Sequence, residues 1–154
     1  NSPEWLSWRH AIEYVRQQYG DFDSFVSLPA TSPLRSTEDI ESAIIKRVEE
    51  NADICISITP ASRSPYFNMV KYNNEGRVEL VNKPELEVKR RQDAPEVFDI
   101  TTVVYASSPE FIQQNYGIFS GKVTSICVPK ERAVDIDDIY DFRLAEAILT
   151  REAE

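Results

Sequence analysis

Trp5, Trp8, Ile12, Val15 and Tyr19 recur every three or four residues, the spacing that lines one side of an α-helix. The pattern predicts a helix over 3–19. Ser2 is placed to cap it, Pro3 suits the first helical position, Glu4 suits the positive end, and Gly20 stops it. Both Trp residues lie on the apolar stripe, so core packing is preferred to a base-stacking platform. Phe22 to Leu28 then reads as a buried strand running into Pro29-Ala30-Thr31-Ser32-Pro33. Ser36 with Asp39 three residues on starts a second helix in capping-box style, striped by Ile40, Ala43, Ile44 and Val48. Ile54 to Thr59 is the next strand. Strand, polar turn, helix and strand in that order are the βαβ pattern of a parallel α/β sheet. Ligands of such sheets gather at the carboxyl ends of strands, where the Thr31–Arg35 turn falls.

The pattern changes over 60–98. Two alternating segments, Tyr66–Tyr72 and Arg77–Val81, flank Asn73-Asn74-Glu75-Gly76, a hairpin turn signal. A polar stretch through Lys89-Arg90-Arg91-Gln92-Asp93-Ala94-Pro95 follows. This region reads as an excursion from the main sheet, an arm suited to dimerisation. Beyond it come a strand over Ile100–Ala106, a short helix over Pro109–Asn115 and a strand over Lys122–Val128. A last helix, from Asp137 to about Arg151, is striped by Ile139, Phe142, Ala145 and Leu149. There is no internal repeat and no low-complexity tract.

Composition narrows the classes. At 154 residues the chain suits one domain over 1–154, and 42% hydrophobic with 28% charged residues is ordinary for a soluble globular protein. A net charge of −9 speaks against a nucleic-acid binder, and it obliges any anionic substrate to meet local positive charge or metal. Arg90 and Arg91, beside Lys89, are the densest basic cluster. Cys55 and Cys127 each sit in a β-branched apolar run and read as buried free thiols of a reducing compartment. With no signal peptide and no apolar run of about 20 residues, the expected location is the cytoplasm, without a membrane. The chain opens on a helix without an initiator Met, which reads as a cut into a longer sequence.

The candidate chemistry starts at Val134-Asp135-Ile136-Asp137. If this step is extended, Asp135 and Asp137 share a face, and two hard oxygen donors on one face suit Mg²⁺. The plainer reading is helix capping by Asp137, with Asp138 favouring the dipole, but that leaves Asp135 unexplained. Arg90-Arg91 could equally be a solvated charge run, and Thr31-Ser32-Pro33 simply a turn before a helix cap. His10 lies off its helix's stripe and reads as solvated.

Taken in order, Ala30-Thr31-Ser32-Pro33-Leu34-Arg35, Ser64-Pro65-Tyr66, Arg90-Arg91-Gln92-Asp93, Gly121-Lys122 and Arg132-Ala133-Val134-Asp135-Ile136-Asp137 with Asp141-Phe142 and Ala145-Glu146 resemble the acylneuraminate (CMP-sialic acid synthetase) cytidylyltransferases. The resemblance covers residues 28–149. It implies a nucleotide-diphosphosugar-transferase-like, Rossmann-like α/β sheet, here partial, with a small β-rich dimerisation arm. It also implies a Mg²⁺-dependent reaction of CTP with a nonulosonic acid, run by a homodimer, giving CMP-sugar and pyrophosphate. Asp135 and Asp137 match the family's metal pair, and Arg90, Arg91 and Gln92 its substrate or phosphate contacts. Thr31 and Ser32 match the turn lining the cleft. Thr101 and Tyr105 fall at sugar-facing positions.

Two departures matter. Family members often carry Gln-Pro-Thr-Ser-Pro where this chain has Pro29-Ala30-Thr31-Ser32-Pro33, and members specific for sialic acid often carry Asn-Gly where it has Thr101-Thr102 before Val103-Val104-Tyr105. The sugar is therefore open to relatives such as legionaminic-type or pseudaminic-type acids. The family's basic, glycine-containing nucleotide loop has no match, so about a third of a one-domain enzyme is expected to lie outside these residues. A cytidylyltransferase for another keto-acid sugar, or a silent interaction module lacking that loop, stays open. No residue stands out as general base.

Overall fold

The computed structural model describes residues 3–83, 90 and 93–152, and divides the chain into two compact units. The main unit comprises 1–59 with 100–154, and the arm comprises Pro60–Asp99. In order, the elements are helix α1 (Pro3–Tyr19), strand β1 (Phe25–Ser27), helix α2 (Thr37–Glu49), strand β2 (Ile54–Pro60), strands β3 (Val70–Tyr72) and β4 (Val78–Leu80), strand β5 (Phe98–Ser107), helix α3 (Pro109–Gln114), a 3-10 turn (Ile118–Ser120), strand β6 (Val123–Cys127) and helix α4 (Ile139–Glu152).

Four strands form the central sheet in the order β1-β5-β2-β6. β1 runs antiparallel to β5, with Val26 opposite Ala106, and β2 runs parallel to β6, with Ser57 opposite Ile126. The expected β1–α2–β2 unit is thus interrupted, because β5 lies between its two strands. β1 is also shorter than its apolar run suggests, and its three residues are half-buried. One side of the sheet packs an aromatic cluster in which Trp5, Trp8 and Ile12 of α1 meet Ile54, Ile56, Tyr105 and Phe111. Ala43 of α2, with Cys55, Val103, Val104, Ala106, Ile126 and Val128, forms the second cluster. The two Trp residues are core, as their stripe predicts, but the stripe leaves the core after Ile12, and Tyr19 is exposed. In α4 only Ala145 of the predicted stripe is buried, while Ile139, Phe142 and Leu149 stay about half exposed.

Gly20 adopts φ +91°, the left-handed turn that ends α1. Both cysteines are free. Cys55 is buried, and burial pushes its thiol up to about 11. Cys127 corrects the expectation, since it is exposed at the end of β6. Among the described residues no helix is long and apolar enough to cross a membrane.

The arm contains an antiparallel pair, β3 with β4, in which Lys71 lies opposite Glu79. Its turn forms as the sequence predicts. Asn73 Oδ1 accepts from the N–H groups of Glu75 and Arg77, and Gly76 takes φ +75°.

Candidate functional site

The turn after β1 is held from three directions. Ser32 is 1% exposed, and its Oγ lies 2.6 Å from Thr102 Oγ1 in β5. Ser36 caps α2 by accepting from Asp39 N–H at 3.2 Å, while Asp39 Oδ2 accepts from Ser36 N–H at 2.9 Å, completing the capping box. Arg132 then places its fork on the same buried carboxylate, Nε at 2.9 Å and Nη2 at 2.8 Å. Burial pushes the Asp39 carboxyl up, but the hydrogen bonds from Arg132 and Ser36, with the Arg132 charge, outweigh it and leave the group below the ordinary carboxylate range.

This clamp aligns the acidic segment. Ile136 N–H donates to the Thr31 carbonyl at 2.9 Å, so the residue between Asp135 and Asp137 is stitched onto the turn. The segment is irregular rather than a strand, because its hydrogen bonding goes to a turn and not to a ladder. Asp135 is half-buried. Its Oδ1 is shut off from solvent and has no hydrogen-bond partner among the described residues. Asp137 is exposed, and its N–H donates to Asp141 Oδ2 at 3.1 Å. The helix cap is Asp138, whose Oδ1 accepts from Tyr140 and Asp141 N–H while Asp141 Oδ2 accepts from Asp138 N–H. Capping therefore falls one residue beyond the expected position and accounts for neither Asp135 nor Asp137.

Other expected site residues divide. Thr31 is exposed on the turn, and its carbonyl carries the stitch to Ile136. Thr101 turns inward, donating from Oγ1 to Ser57 Oγ at 2.7 Å, whereas its neighbour Thr102 meets the turn. Tyr105 sits in the aromatic core, its ring 5.3 Å from Trp8. Burial raises its phenol pKa, with Glu4 and Asp135 adding to the rise. Packing explains both positions. Arg90 is exposed in the arm, where its carbonyl accepts from Asp93 N–H at 3.0 Å. Arg91 and Gln92 lie outside the described residues. Gly121 serves close packing, because a Cβ there would overlap the Asp53 carboxylate and the Phe111 ring. Sequence reasoning missed the Arg132–Asp39 pair and the Ser32–Thr102 contact, although Arg132 and Thr102 each stood inside a quoted motif.

A mixed sheet flanked by helices, with a polar turn and an acidic loop joined beside it, is the nucleotide-diphosphosugar-transferase fold, and two solved structures share it. One is the 4-diphosphocytidyl-2C-methyl-D-erythritol synthase of Anaerococcus prevotii (TM-score 0.62, 12% identity, 97% of this chain and 68% of that one). The other is a CMP:2-keto-3-deoxy-manno-octonic acid synthetase complexed with CTP (TM-score 0.61, 10% identity, 94% and 68%). No family model matches the chain. Among curated proteins it is 33% identical over 138 residues to the post-translational flagellin modification protein B of Campylobacter coli, covering 89% of this chain and 56% of that protein. It is 34% identical over 130 residues to the CMP-N,N'-diacetyllegionaminic acid synthase of Campylobacter jejuni, covering 84% and 54%. The chain is thus similar to cytidylyltransferases for sialic-type acids. It spans a little over half the length of these curated relatives.

Proposed function

We propose that the protein transfers the cytidylyl group of CTP to a nonulosonic acid, as a Mg²⁺-dependent homodimer in the cytoplasm. A hydroxyl oxygen of the acid attacks the α-phosphorus, the bond to the bridging oxygen breaks, the hydroxyl proton departs, and CMP-sugar and pyrophosphate result. The observation that carries this reading is the buried, unpartnered Oδ1 of Asp135 on a loop stitched to the Thr31 turn. An orphaned carboxylate oxygen is costly unless something else satisfies it, and a hard cation does.

Asp135 and Asp137 would hold the Mg²⁺. Among the described residues no group of three or more His, Cys, Asp or Glu converges to hold a metal ion, so the rest of the coordination would have to come from waters and phosphate oxygens. When bound, the ion neutralises triphosphate charge. The chain's own residues position the reactants. Ser32, its hydroxyl spent on Thr102, fixes the turn's shape, and Thr31 presents its exposed side chain. Arg90, Arg91 and Gln92 contribute contacts to the anionic substrates, a role carried over from the family resemblance.

The test is pyrophosphate release by the whole protein from CTP, Mg²⁺ and candidate nonulosonic acids. Asp135→Asn is expected to lower kcat/KM by about 100-fold or more. An unchanged rate would refute the role of Asp135, and no release with any acid would refute the reaction.

A further inference from the structure

The start of α1 and the chain that follows α3 enclose a hollow of ≈ 250 Å³ in the main unit, which the proposed reaction does not use. Trp5, Trp8, Tyr116, Ile118 and Phe119 line it, and Glu4 is its one charged member. The two Trp rings are buried with their centres 5.5 Å apart, and they form its floor. Tyr116 and Phe119 are 65% and 71% exposed and stand as its walls. The shape is set before any ligand arrives. Trp5 Nε1 donates to the Asn115 carbonyl at 2.8 Å, Arg9 Nε donates to the Ile112 carbonyl at 2.9 Å, and Arg9 Nη2 donates to the Asn115 carbonyl as well. These bonds fasten the loop that carries Tyr116 onto α1.

Two observations give this aromatic hollow a preference in charge. Glu4 is exposed and forms no ion pair with any described residue. Its place in the first turn suits the helix dipole, which accounts for a carboxylate at that end but not for four aromatic rings beside it. The Tyr116 ring, moreover, already carries a cation, since the Arg9 guanidinium lies 4.4 Å from its centre. Ring faces attract cations through their quadrupole, and quaternary ammonium groups are recognised in this way. A bare ammonium is strongly hydrated and gives up more water to reach such a surface. Arg9 is held by two carbonyls, which leaves the Phe119 ring and the Glu4 carboxylate for a second cation. The volume falls just below the span of about 300–1,000 Å³ typical of whole ligands, so it fits one compact head group.

We propose that this hollow binds a small organic cation with an alkylated ammonium head, held between the Phe119 and Tyr116 rings and the Glu4 carboxylate. The site is separate from the reaction proposed above and stands or falls independently of it.

Choline and 3,3-dimethyl-1-butanol, its neutral isostere, are the probes, titrated into the whole protein and followed by calorimetry. Trp5 and Trp8 are the two tryptophans of this chain and both line the hollow, so their fluorescence should follow the same curve. Choline is expected to bind saturably and about fivefold or more tighter than the isostere, with sodium chloride at matched ionic strength giving no response. Phe119→Ala should weaken choline binding about threefold to fivefold and Glu4→Gln about threefold. Both residues are exposed, so an unchanged Tm verifies that the variants fold. Asp135→Asn, at the acidic loop, should bind choline as wild type does. Equal binding of the isostere, unchanged affinity in Phe119→Ala and Glu4→Gln, or no saturable response to choline would overturn the inference. Loss of choline binding in Asp135→Asn would overturn it too, by moving the cation to the acidic loop.

Discussion

The main unit and the arm keep their shapes by different means. In the main unit the decisive bonds join distant parts of the chain, Ser32 to Thr102 across 70 positions and Asp39 to Arg132 across 93. In the arm's hairpin turn they are local, with Asn73 Oδ1 reaching N–H groups two and four residues on, although Ala61 N–H also ties the arm's two ends together at the Val97 carbonyl. All three residues of β3 are exposed, and an isolated two-stranded hairpin is only marginally stable. Long-range clamping suits groups that must be held in fixed geometry. A locally specified arm suits side chains that meet a ligand or another chain from the outside.

The clamp offers the largest test of this contrast. Arg132→Ala would leave the Asp39 carboxylate buried with only its capping bonds. A cost of about 2–3 kcal/mol is expected, below that of a fully buried pair because the Arg132 side chain is 35% exposed. Urea denaturation at neutral pH measures it. Asp39 in the native protein titrates below its ordinary value near 3.9, so its contribution is complete above that value and is lost as pH falls through the native one. The gap between Arg132→Ala and wild type should therefore narrow below about pH 4. A gap independent of pH would show that the carboxylate is not what the arginine stabilises.

Gly121 gives a smaller effect in the same unit. A methyl group there must displace both the Asp53 carboxylate, which accepts from Lys122 N–H at 2.7 Å, and the buried Phe111 ring. Gly121→Ala is expected to cost about 1–2 kcal/mol and to lower Tm. An unchanged Tm would mean that this corner repacks freely, and the rigidity ascribed to the main unit would not extend to it.

The same contrast explains what was legible in the sequence. Helix α1, the capping box at Ser36 and the Asn73–Gly76 turn all rest on spacings of four residues or fewer, and each formed where the pattern put it. The family motifs led to the fold because they fix a series of turns in order. What the sequence hid depends on which distant strand lies alongside. β5 enters between β1 and β2, which no local pattern announces. Thr101 and Thr102 look alike in sequence, yet Ser57 Oγ takes the first and Ser32 the second. The family resemblance puts Tyr105 at a sugar-facing position, and no local pattern announces that its ring packs 5.3 Å from Trp8. Cys127 sits in an apolar run as Cys55 does, and only its place at a strand end leaves it exposed.

The smallest expected effect probes the arm alone. Gly76 holds φ +75° with open space where a Cβ would go, so Gly76→Ala meets backbone strain but no clash. The cost should be about 1 kcal/mol or less, spent at the hairpin turn. Hydrogen exchange followed by NMR should show faster exchange of amides in the β3–β4 ladder, where Val70 faces Leu80 and Tyr72 faces Val78, than in wild type. Amides of β2, buried between two strands, should exchange at their original rates. Equal acceleration in both places would mean that the hairpin and the sheet open together, and the division between a clamped unit and a locally held arm would fail.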